Sequence, residues 1–397
     1  RSLLFNFVCV VSVLFATACS GDESNSTPDA GIVADAGTDG INSVVRSDDD
    51  PAYCGECHQV HYEDWQGSMH AYATVDPVFR ALLAKGIEDT DGKLDQFCIQ
   101  CHSPVATKRG LTPVVEVDGV KTMPLDMENP LIGRGVVCVT CHQMESVEAT
   151  KNAEFTFAEP GTLFGPLGAA AAQDAHAISK SDLLTSPTMC GTCHNVVNPK
   201  GALLENTFSE WYASEFNDGQ GEDKTCQDCH MPSYQGEVVP GVVTEIHAHT
   251  FVGVDVALVP EFPGKERQKR LVEELLRSCV ELVIARTEDE PDAAALRVSV
   301  TNINNGHALP SGSTADRQVW VHLRVTDDEG NLVLESGMMD ANGDLMDRVD
   351  GHSLDPLGDP DLLMWGSFLF GDNEEHVSFP WEAARSQDVL IQPGQTG

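Results

Sequence analysis

The sequence has few basic residues for its size. Its 397 residues include 24 Lys and Arg against 62 Asp and Glu, which gives a formal net charge of −38. Nucleic acids and anionic membrane surfaces are polyanions, so this shortage of positive charge argues against electrostatic binding to either. The same balance favours docking of a basic or cationic protein partner.

Aromatic residues are also few. They make up 6% of a chain that is 41% hydrophobic. We therefore expect something other than Phe, Tyr and Trp to fill part of the interior.

The sequence contains one apolar run near its start and none of membrane-spanning length. Residues 3–18 are mostly apolar, and a helix that spans a bilayer needs roughly 20 such residues. The shorter run is typical of the apolar part of a signal peptide. Ala16, Thr17 and Ala18 precede Cys19, and this arrangement resembles a bacterial lipoprotein signal, although Ala16 stands where a large aliphatic residue is usual. Ordinary signal cleavage and a retained anchor are the alternatives.

Thirteen cysteines are present, and ten of them fall in five CxxCH motifs. The motifs are Cys54-Gly-Glu-Cys57-His58, Cys98-Ile-Gln-Cys101-His102, Cys138-Val-Thr-Cys141-His142, Cys190-Gly-Thr-Cys193-His194 and Cys226-Gln-Asp-Cys229-His230. In this pattern two thiols one helical turn apart add to the two vinyl groups of one haem, and the adjacent imidazole ligates the iron. The sequence therefore predicts five covalently attached haem c groups.

Other uses of paired cysteines fit less well. Zinc ribbons combine two CxxC pairs at one metal and need no histidine after each pair. Thioredoxin-like motifs occur singly, and five disulfides of this short span are improbable. All five motifs lie within residues 54–230, so the haems must share walls and pack against one another.

The first motif carries a family resemblance. The segment from Cys54-Gly-Glu-Cys57-His58 to Trp65-Gln-Gly-Ser68-Met-His70-Ala71 resembles multihaem cytochromes c related to the nitrifiers' tetrahaem cytochrome, hydroxylamine oxidoreductase and pentahaem nitrite reductase. In those relatives the histidine of W-x-x-S-x-H-A is an axial ligand. The resemblance implies this role for His70.

The same relatives suggest three further axial ligands. His176 precedes the fourth motif, and His249 follows the last motif in a context similar to H-x-F, with His247 as the alternative. His307 lies in Asn304-Asn-Gly-His307-Ala-Leu-Pro310-Ser-Gly312, which resembles a signature of many family members. A fifth second ligand would have to be His61, His247 or a methionine such as Met69, Met144, Met189 or Met231. If none serves, one iron is five-coordinate and open to a substrate.

The fold class predicted is a multihaem cytochrome fold, mainly α-helix and loop around packed haems, followed by an antiparallel β-sandwich-like domain. The expected segments are a signal peptide (1–19), an acidic tether (20–50), the pentahaem domain (51–262), a connecting helix (263–290) and a β-rich domain (291–397). Within the connecting segment a 3.6-residue apolar period predicts a helix over 264–286, with Cys279 buried as a thiol. We expect the β-rich domain to continue beyond Gly397.

The function expected is single-electron carriage between redox partner proteins of the cell envelope, in an exported protein anchored through lipid on Cys19, periplasmic or at the cell surface. Two alternatives stay open. One is an oxidoreductase of a small nitrogen or sulfur compound at one open haem, although the CxxCK motif of typical pentahaem nitrite reductases is missing. The other is a subunit of a haem-wire filament.

Overall fold

The computed structural model describes residues 7–10, 49–168, 176–220, 223–290, 293–341, 343–346 and 358–397. Cys19, nearly all of the predicted signal peptide and tether, and His352 lie outside these residues. None of the helices in the described ranges has both the length and the apolar character needed to cross a membrane.

The chain divides into two compact units. The larger unit comprises residues 47–319 and 364–397, and the smaller comprises residues 1–46 and 320–363. This division does not follow the expected boundaries at 262 and 290, which remain predictions.

The α-helices of the described residues all lie in the larger unit, and most have only four to eight residues. Their bounds are Pro51–Gly55, Gln59–Gln66, Met69–Tyr72, Pro77–Asp89, Ile99–His102, Pro104–Lys108, Pro130–Gly133, Cys138–His142, Pro187–Gly191, Thr207–Tyr212, Cys226–His230 and Lys265–Cys279. Short 3₁₀ helices cover Asp182–Thr185, Glu215–Asn217 and Thr314–Asp316.

Helix starts follow a repeated local rule. Proline occupies the first turn of five helices. In four of them the residue before it is Asp50, Asp76, Asn129 or Ser186, whose side chain accepts a backbone N–H two residues on. Proline in the first turn removes no hydrogen bond from the helix, because the N–H groups of that turn have no partner within the helix. The capping side chain accepts one of the remaining unpaired N–H groups. Two of these capped helices, Pro51–Gly55 and Pro187–Gly191, carry the first cysteine of a CxxCH motif.

The strands of the larger unit form small sheets. The antiparallel pairs are Val115–Val117 with Val120–Thr122, Met144–Val147 with Phe155–Phe157, Val196–Val197 with Leu203–Glu205, Ser233–Val239 with Val242–His247, and Val280–Glu290 with Ala293–Asn302. Leu163–Gly165 pairs in parallel with Ile178–Lys180, and Met364–Phe370 lies between His376–Val377 and Arg385–Val389. A two-residue strand, Val319–Trp320, stands where the two units divide.

In the smaller unit the strand His322–Thr326 pairs with Leu332–Ser336 on one side and with Phe7–Val10 on the other, both antiparallel. The turn between the first two strands covers residues 327–331, as the sequence predicts. The strands after residue 280 thus form several small antiparallel sheets. Their arrangement as two facing sheets of a sandwich remains a prediction.

One sequence-based prediction fails at its end. The helix expected over 264–286 stops at Cys279, and residues 280–290 form a strand. Val280, Val283 and Ile284 are β-branched residues, which favour extended structure, and ten residues of the partner strand supply the hydrogen bonds. Long-range pairing therefore overrides the helical period. Cys279 itself is buried, as expected.

The core of the motif region is largely aliphatic. One buried cluster joins Trp65 to Val105, Leu131, Ile132 and Val139. A second forms on the helix Pro77–Asp89 and includes Leu83, Ile87, Leu94 and Trp381. Both clusters contact helices that carry or adjoin CxxCH motifs, so apolar packing fixes the positions of those motifs.

Candidate haem-binding sites

Four motif histidines use the same ring nitrogen in the same way. In each, Nδ1 hydrogen-bonds a backbone carbonyl oxygen far away in sequence, and a carbonyl can only accept. The pairs are His58 with Val238 (2.8 Å), His102 with Ala73 (2.8 Å), His142 with Phe164 (2.8 Å) and His230 with Val252 (2.5 Å). Nδ1 therefore carries the hydrogen, which leaves the Nε2 lone pair for a metal.

The fifth motif histidine has a different partner. His194 Nδ1 lies 3.0 Å from Oε1 of Glu205, a carboxylate. Desolvation lowers the pKa of the half-exposed His194 ring, but the hydrogen bond and the charge of Glu205 outweigh it and raise that pKa to about 9. A metal bound at Nε2 would therefore displace a proton from His194.

A second imidazole lies near four of the five motif histidines, and in each case it is one of the histidines proposed from the sequence. The pairs and their ring-centroid separations are His58 and His176 (6.2 Å), His142 and His249 (6.5 Å), His194 and His70 (6.5 Å), and His230 and His307 (6.3 Å).

These separations fit two ligands of one iron. A metal–imidazole nitrogen bond is about 2 Å long, so the centroids of two rings on opposite sides of one metal lie about 6 Å apart. The four pairs differ by only 0.3 Å in separation although they come from different segments. The donor set thus suits haem iron, which histidine pairs commonly ligate.

Three of these partner imidazoles are neutral. Burial lowers the pKa of His70 and of His249 to about 3 and that of His307 to about 4. Only a neutral imidazole offers a nitrogen lone pair to a metal, so burial keeps these side chains in the binding form.

The W-x-x-S-x-H-A segment is explained by contacts around His70. The Trp65 indole N–H donates to the Val136 carbonyl at 2.8 Å, and the Ser68 hydroxyl caps the short helix by accepting the Ala71 N–H. The Val136 N–H in turn donates to the His70 carbonyl at 2.9 Å. These bonds fix the backbone of His70 on both sides.

His249 is held by a buried carboxylate. Asp64 accepts the backbone N–H of His249 at 3.1 Å and forms an ion pair with Arg267 at 2.7 Å. His249 Nδ1 also bonds the His247 carbonyl at 2.8 Å. Arg267 belongs to the helix Lys265–Cys279, so that helix supports the predicted ligand through Asp64.

His307 is held by Glu210, which lies on the helix Thr207–Tyr212. The Glu210 carboxylate accepts the Ala308 N–H at 3.0 Å and the Ser311 hydroxyl at 2.7 Å. The Thr207 hydroxyl also accepts the Gly312 N–H at 3.0 Å. The helix Thr207–Tyr212 therefore holds the loop that carries His307 through these three hydrogen bonds.

The second motif differs in having no such partner. The ring that contacts His102 is Phe79, stacked at 3.8 Å and 8°. Among the described residues no imidazole faces His102 at the separation found in the other four pairs. The other candidates lie away from His102. The ring of His61 is 5.9 Å from that of His58 and 4.7 Å from that of His249, and His247 Nδ1 bonds the Met231 carbonyl.

Of the methionines considered as ligands, Met144 and Met189 are buried in an apolar cluster with Cys101, Cys141 and Cys193. Their surroundings are those of core side chains.

Thiols of different motifs lie close enough to shift one another's pKa. The pairs are Cys54 with Cys138, Cys101 with Cys193, and Cys190 with Cys226, and no cysteine from Cys54 to Cys279 forms a disulfide. The described residues also contain no group of three or more His, Cys, Asp or Glu arranged to hold a metal ion, as a zinc ribbon would require. The five motifs therefore adjoin one another as separate thiol pairs.

Three carboxylates at these sites, Asp64, Glu205 and Glu210, were missed by sequence reasoning. None has a motif spacing that marks it, because each meets its histidine or loop through folding. Two lie in ordinary helices and the third at the end of a three-residue strand.

Comparisons with known proteins give the class of protein and its fold. The protein family described as cytochrome c554 and c-prime matches residues 53–143, which contain the first three motifs. The fold is similar to that of a penta-heme cytochrome c552 from Thermochromatium tepidum, with a TM-score of 0.60, at 22% sequence identity and over 88% of this chain and 85% of that chain. The chain is a multihaem c-type cytochrome. No curated protein matches its sequence.

In this multihaem cytochrome the described cysteine pairs would hold haem c, and the motif histidines would offer Nε2 to its iron. The expected resemblance to multihaem cytochromes c is confirmed. The number of haems and the individual second ligands remain predictions.

A first prediction concerns Gly135, which has φ of +65° and lies against the His70 backbone. An added Cβ would collide with the His70 carbonyl oxygen. Gly110 is the matched control, because its φ is +71° and nothing lies within 4 Å of its added Cβ. Left-handed backbone alone costs an L-residue roughly 1–2 kcal/mol. We expect Gly110→Ala to lower the free energy of unfolding of the haem-loaded protein by that amount and Gly135→Ala to lower it by more; equal losses would contradict the account.

A second prediction concerns Glu210. Replacing it with Ala leaves the Ser311 hydroxyl and the Ala308 N–H without their acceptor, which costs about 1–3 kcal/mol in free energy of unfolding. Glu210→Gln retains an acceptor oxygen and is the matched control. Denaturant unfolding of the haem-loaded variants compares them. A loss as large for Gln as for Ala would show that the charge, and not the hydrogen bonds, holds the His307 loop.

Proposed function

We propose that this multihaem cytochrome carries single electrons between redox partners of the cell envelope, through five closely packed haems of which most have two histidine ligands. The observation that carries the proposal is the set of four imidazole pairs with centroid separations of 6.2–6.5 Å. An iron with two histidine ligands has no free position for a substrate, so such a site suits electron transfer.

Haem c supplies a one-electron Fe(III)/Fe(II) couple when it is bound. The protein holds and orients the histidine side chains that would bind the iron. Backbone carbonyls such as those of Val238 and Phe164 fix the motif imidazoles, while Asp64 and Glu210 fix the segments that bear His249 and His307. Rigid ligands change little between the two oxidation states, which favours rapid electron exchange.

Packing of the motifs supports transfer between haems. Closely placed thiols link the first motif to the third, the second to the fourth, and the fourth to the fifth. Groups attached to adjoining thiols are close neighbours, and electron tunnelling falls steeply with distance. The net charge of −38 supports basic proteins as the partners, because complementary charge speeds encounter.

Export and a lipid anchor belong to the same proposal. Haem c is attached to cysteines in proteins outside the cytoplasm as a rule, and the apolar run before Cys19 is typical of a signal peptide. We propose a periplasmic or cell-surface location, with lipid on Cys19 and residues 20–50 as the tether.

The anchor is tested by Cys19→Ser in cells that assemble the cytochrome. We expect the haem-loaded protein to leave the membrane fraction and to lose incorporation of labelled fatty acid, because the acceptor thiol is gone. Cys9→Ser is the matched control and should retain both. Fatty-acid labelling of the Cys19→Ser variant would contradict lipid attachment at this residue.

A second candidate function is suggested by His102. Since no described imidazole pairs with it, the second motif is the site at which an iron would be open to a small nitrogen or sulfur compound. In that reading the protein is an oxidoreductase as well as a carrier.

Electron paramagnetic resonance of the fully oxidised protein distinguishes the two functions. Pure carriage predicts low-spin signals alone, unchanged by nitrite or hydroxylamine. A high-spin ferric signal that shifts on addition of either compound would support the second candidate.

The ligand pairs are tested by His307→Ala. We expect one low-spin signal to become high-spin, because the iron of the fifth motif loses one of two imidazoles. His322→Ala is the control, since His322 lies in the smaller unit and contacts Glu335 at 3.1 Å. An unchanged spectrum for His307→Ala would contradict its role as a ligand.

A further inference from the structure

The fourth motif differs from the other four in the acceptor of its histidine. His58, His102, His142 and His230 all donate from Nδ1 to neutral backbone carbonyls. His194 alone donates to a carboxylate oxygen, Oε1 of Glu205, at 3.0 Å.

The position of Glu205 is fixed by its strand. The chain turns back after the fourth motif, and Glu205 pairs with Val196, two residues beyond His194. The Glu205 side chain is 17% exposed, so most of it is shielded from water. A carboxylate in such surroundings acts more strongly on a neighbouring hydrogen than one in bulk solvent.

The charge of the acceptor matters for the iron. A carboxylate draws the Nδ1 hydrogen more strongly than a carbonyl does, which makes the imidazole a more electron-donating ligand through Nε2. A more electron-donating ligand stabilises Fe(III) relative to Fe(II). In the half-reaction Fe(III) + e⁻ → Fe(II) no atom is transferred, and the equilibrium moves toward Fe(III).

The fourth motif also stands at a junction. Cys193 and Cys101 of the second motif pack against one apolar cluster, and Cys190 lies close enough to Cys226 of the fifth for each to shift the other's pKa. Haems attached to these thiols would place that of the fourth motif between those of the second and the fifth. A change in the potential there affects transfer on both sides.

We propose that Glu205 is a positioning residue that lowers the reduction potential of the haem on the fourth motif, by accepting the Nδ1 hydrogen of His194. The proposal rests on the proposed function in requiring haem on Cys190 and Cys193. Glu205 would thereby set how readily the haem on the fourth motif accepts an electron.

The test is a redox titration of haem-loaded Glu205→Gln, followed by electron paramagnetic resonance at one fixed pH. The glutamine keeps an acceptor oxygen but removes the charge. We expect one of the one-electron transitions to move about tenfold in its equilibrium constant toward Fe(II), which is 59 mV to higher potential, and the others to move less. Glu215→Gln is the matched control, because it removes an exposed carboxylate that bonds none of the motif histidines.

Glu205→Asp provides a second variant. It retains the charge at a longer distance, so we expect a shift in the same direction as for Gln but smaller. No shift in Glu205→Gln, the same shift in Glu215→Gln, or a larger shift in Glu205→Asp than in Glu205→Gln would each overturn the inference.

Failure of the Glu205 proposal and failure of the proposed function can be told apart. The measurement is mass spectrometry of the peptide that contains Cys190 and Cys193. A haem-bearing peptide together with an unmoved potential overturns only the role of Glu205. A peptide without haem in the wild-type protein overturns the five-haem proposal itself.

Discussion

The hydrogen bond donated from Nδ1 of each motif histidine is the interaction on which the rest of the structure depends. A histidine that follows a CxxC pair can turn about two side-chain bonds, and either ring nitrogen could carry the hydrogen. A hydrogen bond from Nδ1 to a fixed acceptor sets both the orientation of the ring and the nitrogen that carries the hydrogen. The acceptors come from residues up to 180 positions away, as for His58 and Val238. Each bond thus ties a short motif helix to a distant loop or strand and orients Nε2 at the same time.

The partner imidazoles extend this arrangement across the chain. His70 follows the first motif yet faces the fourth, and His176, which precedes the fourth, faces the first. His307 comes from beyond the helix Lys265–Cys279 to face His230. Each pair therefore crosslinks separate segments once a metal joins it. A chain with 6% aromatic residues and mostly short helices would then be held together in part by its bound haems, which would supply some of its interior.

Several parts of this description could be predicted from the sequence and others could not. The CxxCH motifs, the resemblance around Trp65 and His70, and the turn at 327–331 are local patterns, and local patterns survive folding. The path of the whole chain decides which imidazole lies opposite which motif. No local sequence pattern therefore predicts the pairing of His70 with His194. The end of the helix at Cys279 was missed because strand pairing with residues 293–302 outweighs a helical period. Glu205 was missed for the same kind of reason, since a three-residue strand brings it back to its histidine.

The central claim is that paired imidazoles are the two axial ligands of one iron. Anomalous X-ray scattering at the iron edge, from crystals of the haem-loaded protein, tests it most directly. The account predicts a peak between the rings of His58 and His176, His142 and His249, His194 and His70, and His230 and His307, about 2 Å from each Nε2. An iron peak beside any of these motif histidines with its partner imidazole outside bonding distance would contradict the account.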